Sequence, residues 1–219
     1  ILIEGPAKMP AITRAQVLAA IERVRNSEIA AYQESTTIRP LMVNTPAPGQ
    51  IVAEKNIDRL GVTEWTLSNG VKVVFKATSF QNDEVRFVSF SPGGTSLASD
   101  ADFVSADFAG AVVNEGGIGD LSLVELDHLL SGKVVSVDVS IDELEESVSG
   151  HASPEDLEEM FQLIYLRFTK PRLDKAAFET WRQRQMEWTK NRRAVPETGF
   201  FDDMQAFLYN KHPRRRPMT

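Results

Sequence analysis

Val85 to Gly119 read VRFVSFSPGGTSLASDADFVSADFAGAVVNEGGIG, and this stretch predicts a strand, a glycine turn and a helix in direct succession. Residues 85–90 are apolar on both sides of the chain, as is typical of a central strand buried on both faces. Pro92-Gly93-Gly94 ends the strand, because proline cannot pair inside a sheet and glycine accepts a positive φ. Apolar residues at helical spacing then run to Glu115, where Gly116-Gly117 stops the helix.

The composition limits the classes of function. The 219 residues are enough for one large or two small domains, and the net charge of -7 argues against a nucleic-acid-binding protein. The absence of cysteine excludes disulfides, thiolate metal ligands and a thiol nucleophile. No apolar run approaches the roughly 18 residues of a membrane span. Residues 1–10 do not resemble a signal peptide, and both ends of the sequence suggest a fragment of a longer protein.

The N-terminal part of the chain predicts one helix and then an irregular connection. Thr13 and Gln16 form a capping-box pattern, and an apolar stripe continues the helix to about Ala31. From Thr36 to Leu60 the periodicity disappears among prolines and glycine, as in a linker over a surface. We therefore expect a domain boundary near residue 60, with residues 61–219 forming one domain.

The second part of the chain predicts an α+β fold. Asn69-Gly70 predicts a hairpin between strands in Val62–Lys76, and we expect the strand from Val85 to join it in one sheet. A helix capped at Ser122, a strand at 135–141, a weaker strand through Val148 to His151, and three C-terminal helices follow. This order is not a strict β-α-β alternation and favours an antiparallel sheet with helices packed on one face. The core stripe of the first C-terminal helix is predicted to comprise Leu157, Met160, Phe161, Ile164 and Phe168.

The residues that could hold a metal do not form a recognised pattern. A helical zinc site needs two imidazoles one turn apart, whereas His128, His151 and His212 are far apart in the sequence. We expect His128 on a helix surface and His151 on an edge strand. Three acids could offer oxygen ligands, but such a set suits calcium or magnesium better than zinc, and a solvated helix face is the simpler interpretation. These acids are Asp102, Asp107 and Glu115.

Patterns for nucleophilic or phosphate chemistry are equally weak. No G-x-S-x-G elbow is present, and neither Gly93-Gly94 nor Gly116–Gly119 matches a phosphate-binding loop. The basic run from His212 could meet phosphate or an acidic partner, but we interpret it as an exposed tail. The residues alone therefore predict no catalytic, cofactor-binding or metal site in this chain, and indicate a binding or scaffolding domain.

Four segments in order resemble the insulinase/pitrilysin family of zinc metallopeptidases, and most of all its bacterial zinc proteases. The likeness runs from Gly61 to Thr219 and corresponds to the first repeat of the second, non-catalytic half of those proteins. The segments are VTEWTLSNGVKVVFK, NDEVRFVSFSPGGTSL, VVNEGGIGDLSLVELDHLLSGKVVSV and SPEDLEEMFQLIYLRFTKPRLDKAAF.

The resemblance implies a part without its own active site. Family members consist of α+β repeats whose two halves close around a peptide, and a catalytic helix carries an H-x-x-E-H zinc motif. The corresponding helix here reads DFVSADFAGAVVNEGG and has no histidine, so no ligand is carried over. By the same resemblance, residues 1–60 are the end of the preceding half and the linker between halves. Zinc is implied in the catalytic half of the same polypeptide, which is the expected partner together with peptide substrate.

Two functions therefore stay open. The first is a substrate-enclosing repeat of a zinc metalloendopeptidase, with peptide docking along an exposed strand edge such as the strand ending near His151. The second is a non-proteolytic scaffold resembling the inactive homologues in respiratory complexes, and an H-x-x-E-H upstream of residue 1 would distinguish the two. A periplasmic or cell-envelope location is suggested by the resemblance alone. An independent carboxylate-metal enzyme would need Asp102, Asp107 or Glu115.

Overall fold

The computed structural model of the chain describes residues 12–28, 40–215 and 217. The chain divides into two units, residues 1–38 and 39–219. In the first unit, helix α1 spans Arg14–Arg25, and Thr13 and Gln16 form the predicted capping box. α1 ends at Arg25, with Asn26 as its C-cap, which is earlier than the sequence predicts, and Ala31 lies outside the described residues.

The first sheet contains three antiparallel strands in the order β1-β2-β3. They are β1 (Ile51–Ile57), β2 (Val62–Leu67) and β3 (Lys72–Phe75), and Asn69-Gly70 makes the predicted turn between β2 and β3. β1 lies inside the segment 36–60 that we predicted to be irregular, so that prediction is wrong there. The polar sequence of β1 gave no strand signal, because this strand forms by backbone pairing with β2 from Ala53 to Ile57 and buries almost no side-chain surface.

The second sheet also has three antiparallel strands, in the order β4-β6-β5. They are β4 (Val85–Pro92), β5 (Val135–Ile141) and β6 (Glu145–Ala152). β4 is thus an edge strand that pairs with β6 and not with the β2–β3 hairpin, which contradicts two predictions. The central strand is β6, so His151 is not on an edge. The apolar run of β4 is misleading because Val88 and Phe90 are about 70% exposed.

The described residues form five further helices, two of them between β4 and β5 and three after β6. They are α2 (Phe103–Glu115), α3 (Leu123–Leu129), α4 (Leu157–Thr169), α5 (Lys175–Arg192) and α6 (Pro196–Leu208). Short 3-10 helices span Gly94–Leu97 and Pro213–Arg215. The predicted capping box at Ser122 and the stop after Glu115 are confirmed. None of the described helices is long and apolar enough to cross a membrane.

The hydrophobic core lies between the second sheet and helices α3 and α4. α4 contributes Met160, Leu163 and Leu166, whereas Phe161 and Phe168 from the predicted stripe are more than half exposed. The α+β fold class with an antiparallel sheet is confirmed. The other buried apolar residues of the cluster are Ile118, Leu121, Leu126, Val137, Val148 and Ala152.

Candidate functional site

Helix α2 covers the outer edge of strand β5. The Asn114 side chain pairs with both backbone groups of Val139: Nδ2 donates to the carbonyl oxygen (3.0 Å), and Oδ1 accepts from the amide (3.1 Å). Gly110 allows the close approach, since a Cβ there would lie 3.0 Å from the Val139 carbonyl oxygen. An asparagine amide thus replaces a neighbouring strand and closes the β5 edge at Val139.

The opposite edge of the same sheet has no such cover. β4 pairs with β6 on one side, and no described strand pairs with its other side. β4 carries only one charged side chain, Arg86, which pairs with Glu84 at 2.9 Å. A long edge with few charges is a template for pairing with another strand. The edge near His151 that we predicted for docking does not exist, and the β4 edge is the uncovered one.

The outer face of the second sheet is formed by alternate residues of its three strands. β5 and β6 make this face polar: Ser136 Oγ lies 2.9 Å from His151 Nδ1, and Ser140 Oγ lies 2.7 Å from Ser147 Oγ. β4 adds the exposed Val88 and Phe90. The face therefore combines a row of hydroxyl groups with one apolar strip. Its members are Arg86, Val88, Phe90, Ser136, Asp138, Ser140, Ser147, Ser149 and His151.

A buried arginine fixes the end of α2 and was missed by sequence reasoning. Arg167 of α4 is 8% exposed, and its Nη1 donates to the carbonyl oxygens of Val113 (2.8 Å) and Gly117 (3.1 Å). Burial lowers the pKa of the guanidinium, while the nearby Asp138 carboxylate raises it. The sequence signal that could have revealed this role is the position of the arginine, which follows Leu163 and Leu166 on the buried stripe of α4. Arg167 therefore has a structural role, because it fixes the C-terminal end of α2.

The structure does not bring the predicted oxygen ligands together. Asp102 accepts a hydrogen bond from Ser99 Oγ at 2.7 Å, Asp107 is exposed, and Glu115 pairs with Arg184 of α5. Among residues 12–28, 40–215 and 217, no group of three or more His, Asp and Glu side chains could hold a metal ion.

The three histidines are equally separate. His128 lies in the last turn of α3, and His151 lies on the central strand of the second sheet. His212 Nδ1 accepts a hydrogen bond from the Arg214 amide at 3.3 Å. The three imidazoles therefore belong to different elements and do not form a shared site.

A large open cleft lies between α2, α5 and the C-terminal segment. Its volume is about 1520 Å³, and its wall includes the aromatic side chains of Phe103, Phe108, Trp181 and Trp188. The Trp181 ring is buried and meets Phe108 edge to face, with ring centroids 5.2 Å apart. The basic run after His212 agrees only in part with the exposed tail that we predicted. Arg215 is exposed and pairs with Glu143, whereas Arg214 lines this cleft, is partly buried and pairs with Asp100.

Comparison with known proteins gives relatives of one kind. No protein-family profile matches the chain. A probable zinc protease PqqL from Haemophilus influenzae is 27% identical over 159 residues, which is 73% of this chain and 17% of that protein. A PqqL-like zinc protease from Arabidopsis thaliana is 33% identical over 111 residues, 46% of this chain and 12% of that protein.

A solved structure shares the fold over nearly the whole chain. The periplasmic protease PqqL from Escherichia coli superposes with a TM-score of 0.70 and 21% identity, covering 95% of this chain and 23% of that one. The chain thus spans less than a quarter of the length of these proteins. Sequence and fold agree with the family resemblance: the chain is related to the PqqL-type zinc proteases of the insulinase family, and it matches one part of their length.

Proposed function

We propose that this chain is a non-catalytic, substrate-enclosing repeat of a longer zinc endopeptidase that hydrolyses peptides. The relatives are named zinc proteases, and this chain matches only a part of each of them. In this proposal the zinc and the H-x-x-E-H motif belong to another part of the same polypeptide. The location would be the periplasm, by analogy with the protein whose fold it shares.

One observation carries the proposal. The helix that follows the strand and the glycine turn, Phe103–Glu115, contains no histidine, and its residues instead serve packing. Asn114 and Gly110 face strand β5, and the Val113 carbonyl accepts from the buried Arg167. Because the polar contacts of this helix close the edge of a sheet, the helix is better suited to forming a wall around the substrate than to binding zinc.

The outer face of the second sheet supports the enclosing role. A row of serine hydroxyls on β5 and β6 is a hydrated surface, as the lining of a water-filled chamber requires. If an extended peptide pairs with this repeat, the uncovered β4 edge is where its backbone would find free partners. The β5 edge is already closed by Asn114.

The proposed domain limits are residues 1–60 for the end of the preceding half and the linker, and residues 61–219 for the repeat. Strand β1 extends the repeat by one element, because Ala53–Ile57 pair with β2. Residues 1–38 form a separate unit, which is compatible with a different parent half.

Zinc content and peptidase activity test the proposal. Both would be measured on this chain and on the longer protein that contains it. We expect about one zinc per molecule and peptide cleavage only in the longer protein. One equivalent of zinc in the chain itself would contradict a non-catalytic role, and absence of zinc from both proteins would favour the scaffold function.

A further inference from the structure

The segment after α6 is attached to the start of α2 by one arginine. The three nitrogens of the Arg214 guanidinium donate hydrogen bonds to three different acceptors. Nε donates to Asp100 Oδ1 (2.7 Å), Nη1 to the Thr95 carbonyl (3.0 Å) and Nη2 to the Ala98 carbonyl (2.7 Å). The guanidinium carbon also lies 5.2 Å from the centre of the Phe103 ring. The side chain is 25% exposed and therefore partly buried.

This set of acceptors matches a guanidinium and not an ammonium. A guanidinium is planar and directs its donors in a fixed fork, so three acceptors around its rim and an aromatic ring can all be used at once. A lysine ammonium is a compact point charge that directs its donors tetrahedrally. It could reach one or two of these oxygens but could not offer a separate donor to all three while lying over the Phe103 ring.

The pocket is held in place by contacts that do not involve Arg214. The Thr95 amide donates to the Asp142 carbonyl (2.8 Å), and the Ser96 amide donates to the Glu143 carbonyl (2.8 Å). Gly94 allows this approach to the β5–β6 turn, with φ of 64° and no room for a Cβ. The Ala98 amide donates to the Thr95 carbonyl (3.1 Å), which ties these two residues to each other. We therefore expect the acceptors to stay in position when the arginine is removed.

We propose that Thr95, Ala98, Asp100 and Phe103 form an arginine-binding pocket, which Arg214 fills in this structure and which accepts an arginine side chain of another peptide when Arg214 is withdrawn. Thr95, Phe103 and Arg214 also line the large cleft, so a peptide bound through this pocket lies along the cleft wall. Arg214 then acts as an internal competitor. This pocket is independent of the proposed enclosing role, because it lies at the start of α2 and not on the outer face of the second sheet.

The test compares binding of an arginine probe to three forms of the chain. Acetyl-arginine amide and acetyl-lysine amide would be titrated into the wild type, Arg214→Gln and the double variant Arg214→Gln/Asp100→Asn, with binding followed by NMR shifts of residues 95–103. We expect Arg214→Gln to bind the arginine probe at least about tenfold more tightly than the wild type, because an occupied site lowers the apparent affinity. The lysine probe and the double variant should show little binding. Lys211→Gln, an exposed basic residue outside the pocket, should behave as the wild type.

Two results would overturn the proposal. One is a folded Arg214→Gln that does not bind the arginine probe, and the other is equal binding of the lysine and arginine probes. Urea unfolding of each variant establishes that it is folded. If Arg214→Gln does not fold, the wild type decides the question: excess arginine probe should displace Arg214 and shift the signals of residues 95–103, whereas the lysine probe should not. If neither probe displaces Arg214, the contact is only an internal structural interaction and the proposal is wrong.

Discussion

The two three-stranded sheets are similar in size and pairing but differ in burial. None of the residues of β1, β2 and β3 is buried, and β1 is exposed at all but its last residue. The second sheet supplies Val137, Val148 and Ala152 to the core and is covered by α2 and α4. Both are regular antiparallel sheets, so regular pairing alone does not show where the stability of this chain resides.

The first sheet is held by local contacts. Trp65 and Phe75 lie across the β2–β3 pair with ring centroids 4.6 Å apart, and Trp65 Nε1 donates to Glu54 of β1 at 3.0 Å. The second sheet is held by contacts between residues distant in sequence: Asn114 of α2 bonds to Val139 of β5, and Arg167 of α4 holds the end of α2. We therefore expect matched substitutions to cost more in the second sheet than in the first.

The largest difference is expected between two glycines next to the sheets, Gly94 after β4 and Gly70 in the turn between β2 and β3. An alanine Cβ at Gly94 would lie 2.2 Å from the Asp142 carbonyl oxygen, and φ is +64°. Gly94→Ala should therefore lower the free energy of unfolding by roughly 3 kcal/mol or more, because backbone strain is combined with a clash against backbone. Gly70→Ala, at φ +86° with nothing within 4 Å, should cost only about 1–2 kcal/mol. Urea unfolding measures both, and equal costs would contradict the comparison.

A matched pair of valines should show a smaller difference. Val148 on β6 is 4% exposed, whereas Val74 on β3 is 61% exposed. Val148→Ala should lower the free energy of unfolding by about 2 kcal/mol, through lost burial and the cavity left behind. Val74→Ala should change it by less than about 0.5 kcal/mol. If Val74→Ala proves as costly, the first sheet buries more surface in solution than the structure shows.

Removal of the amide that closes the β5 edge should have a similar or smaller effect. Asn114→Ala leaves the amide and carbonyl of Val139 without their side-chain partner, at a cost of about 1–2 kcal/mol. Amide hydrogen exchange at Val139 should become faster, while exchange in β1 and β2 stays unchanged. Unchanged exchange at Val139 would mean that Asn114 does not protect this edge.

The sequence predicted the parts of the fold that depend on local chemistry. The capping boxes at Thr13 and Ser122, the Asn69-Gly70 turn and the stop after Glu115 follow from nearby residues alone, and all are confirmed. The order of strands was predicted wrongly because it depends on which backbone groups meet. The apolar run of β4 indicated a central strand, yet Val88 and Phe90 face outward at an edge.

The contacts around α2 could not be predicted from the sequence, because they also depend on which distant segments meet in the fold. Asn114, Arg167 and Arg214 each act on residues at least 25 positions away. Arg167 lies among apolar residues of a hydrophobic stripe, so its role was not recognised from the sequence. The basic run containing Arg214 has the composition of an exposed tail. Sequence periodicity shows which side of a helix is apolar, but the carbonyl that a buried arginine meets is fixed only when distant segments are brought together.

The smallest expected effect is an acid-sensitive contribution at the start of β5. The amide of Val134 and the hydroxyl of Ser153 donate to Asp156, and with Lys133 they lower the pKa of its carboxyl group. Because the folded-state pKa lies below the unfolded value of about 3.9, the contribution is complete above that value and is lost as the pH falls toward the folded pKa. Asp156→Asn should therefore flatten the fall in stability below about pH 4 without changing its course near neutral pH.

Urea unfolding of wild type and Asp156→Asn between pH 6 and pH 3 measures this contribution. Asp174, whose pKa is lowered by the amide of Ala177 and by Arg172, provides a second step: the double variant Asp156→Asn/Asp174→Asn should have a flatter profile than either single variant. Both carboxylates lie outside the first sheet, one at the start of α4 and one at the start of α5. If acid weakened the hydrogen-exchange protection of β1 and β2 before that of β5, the contrast between the two sheets would be wrong on this point.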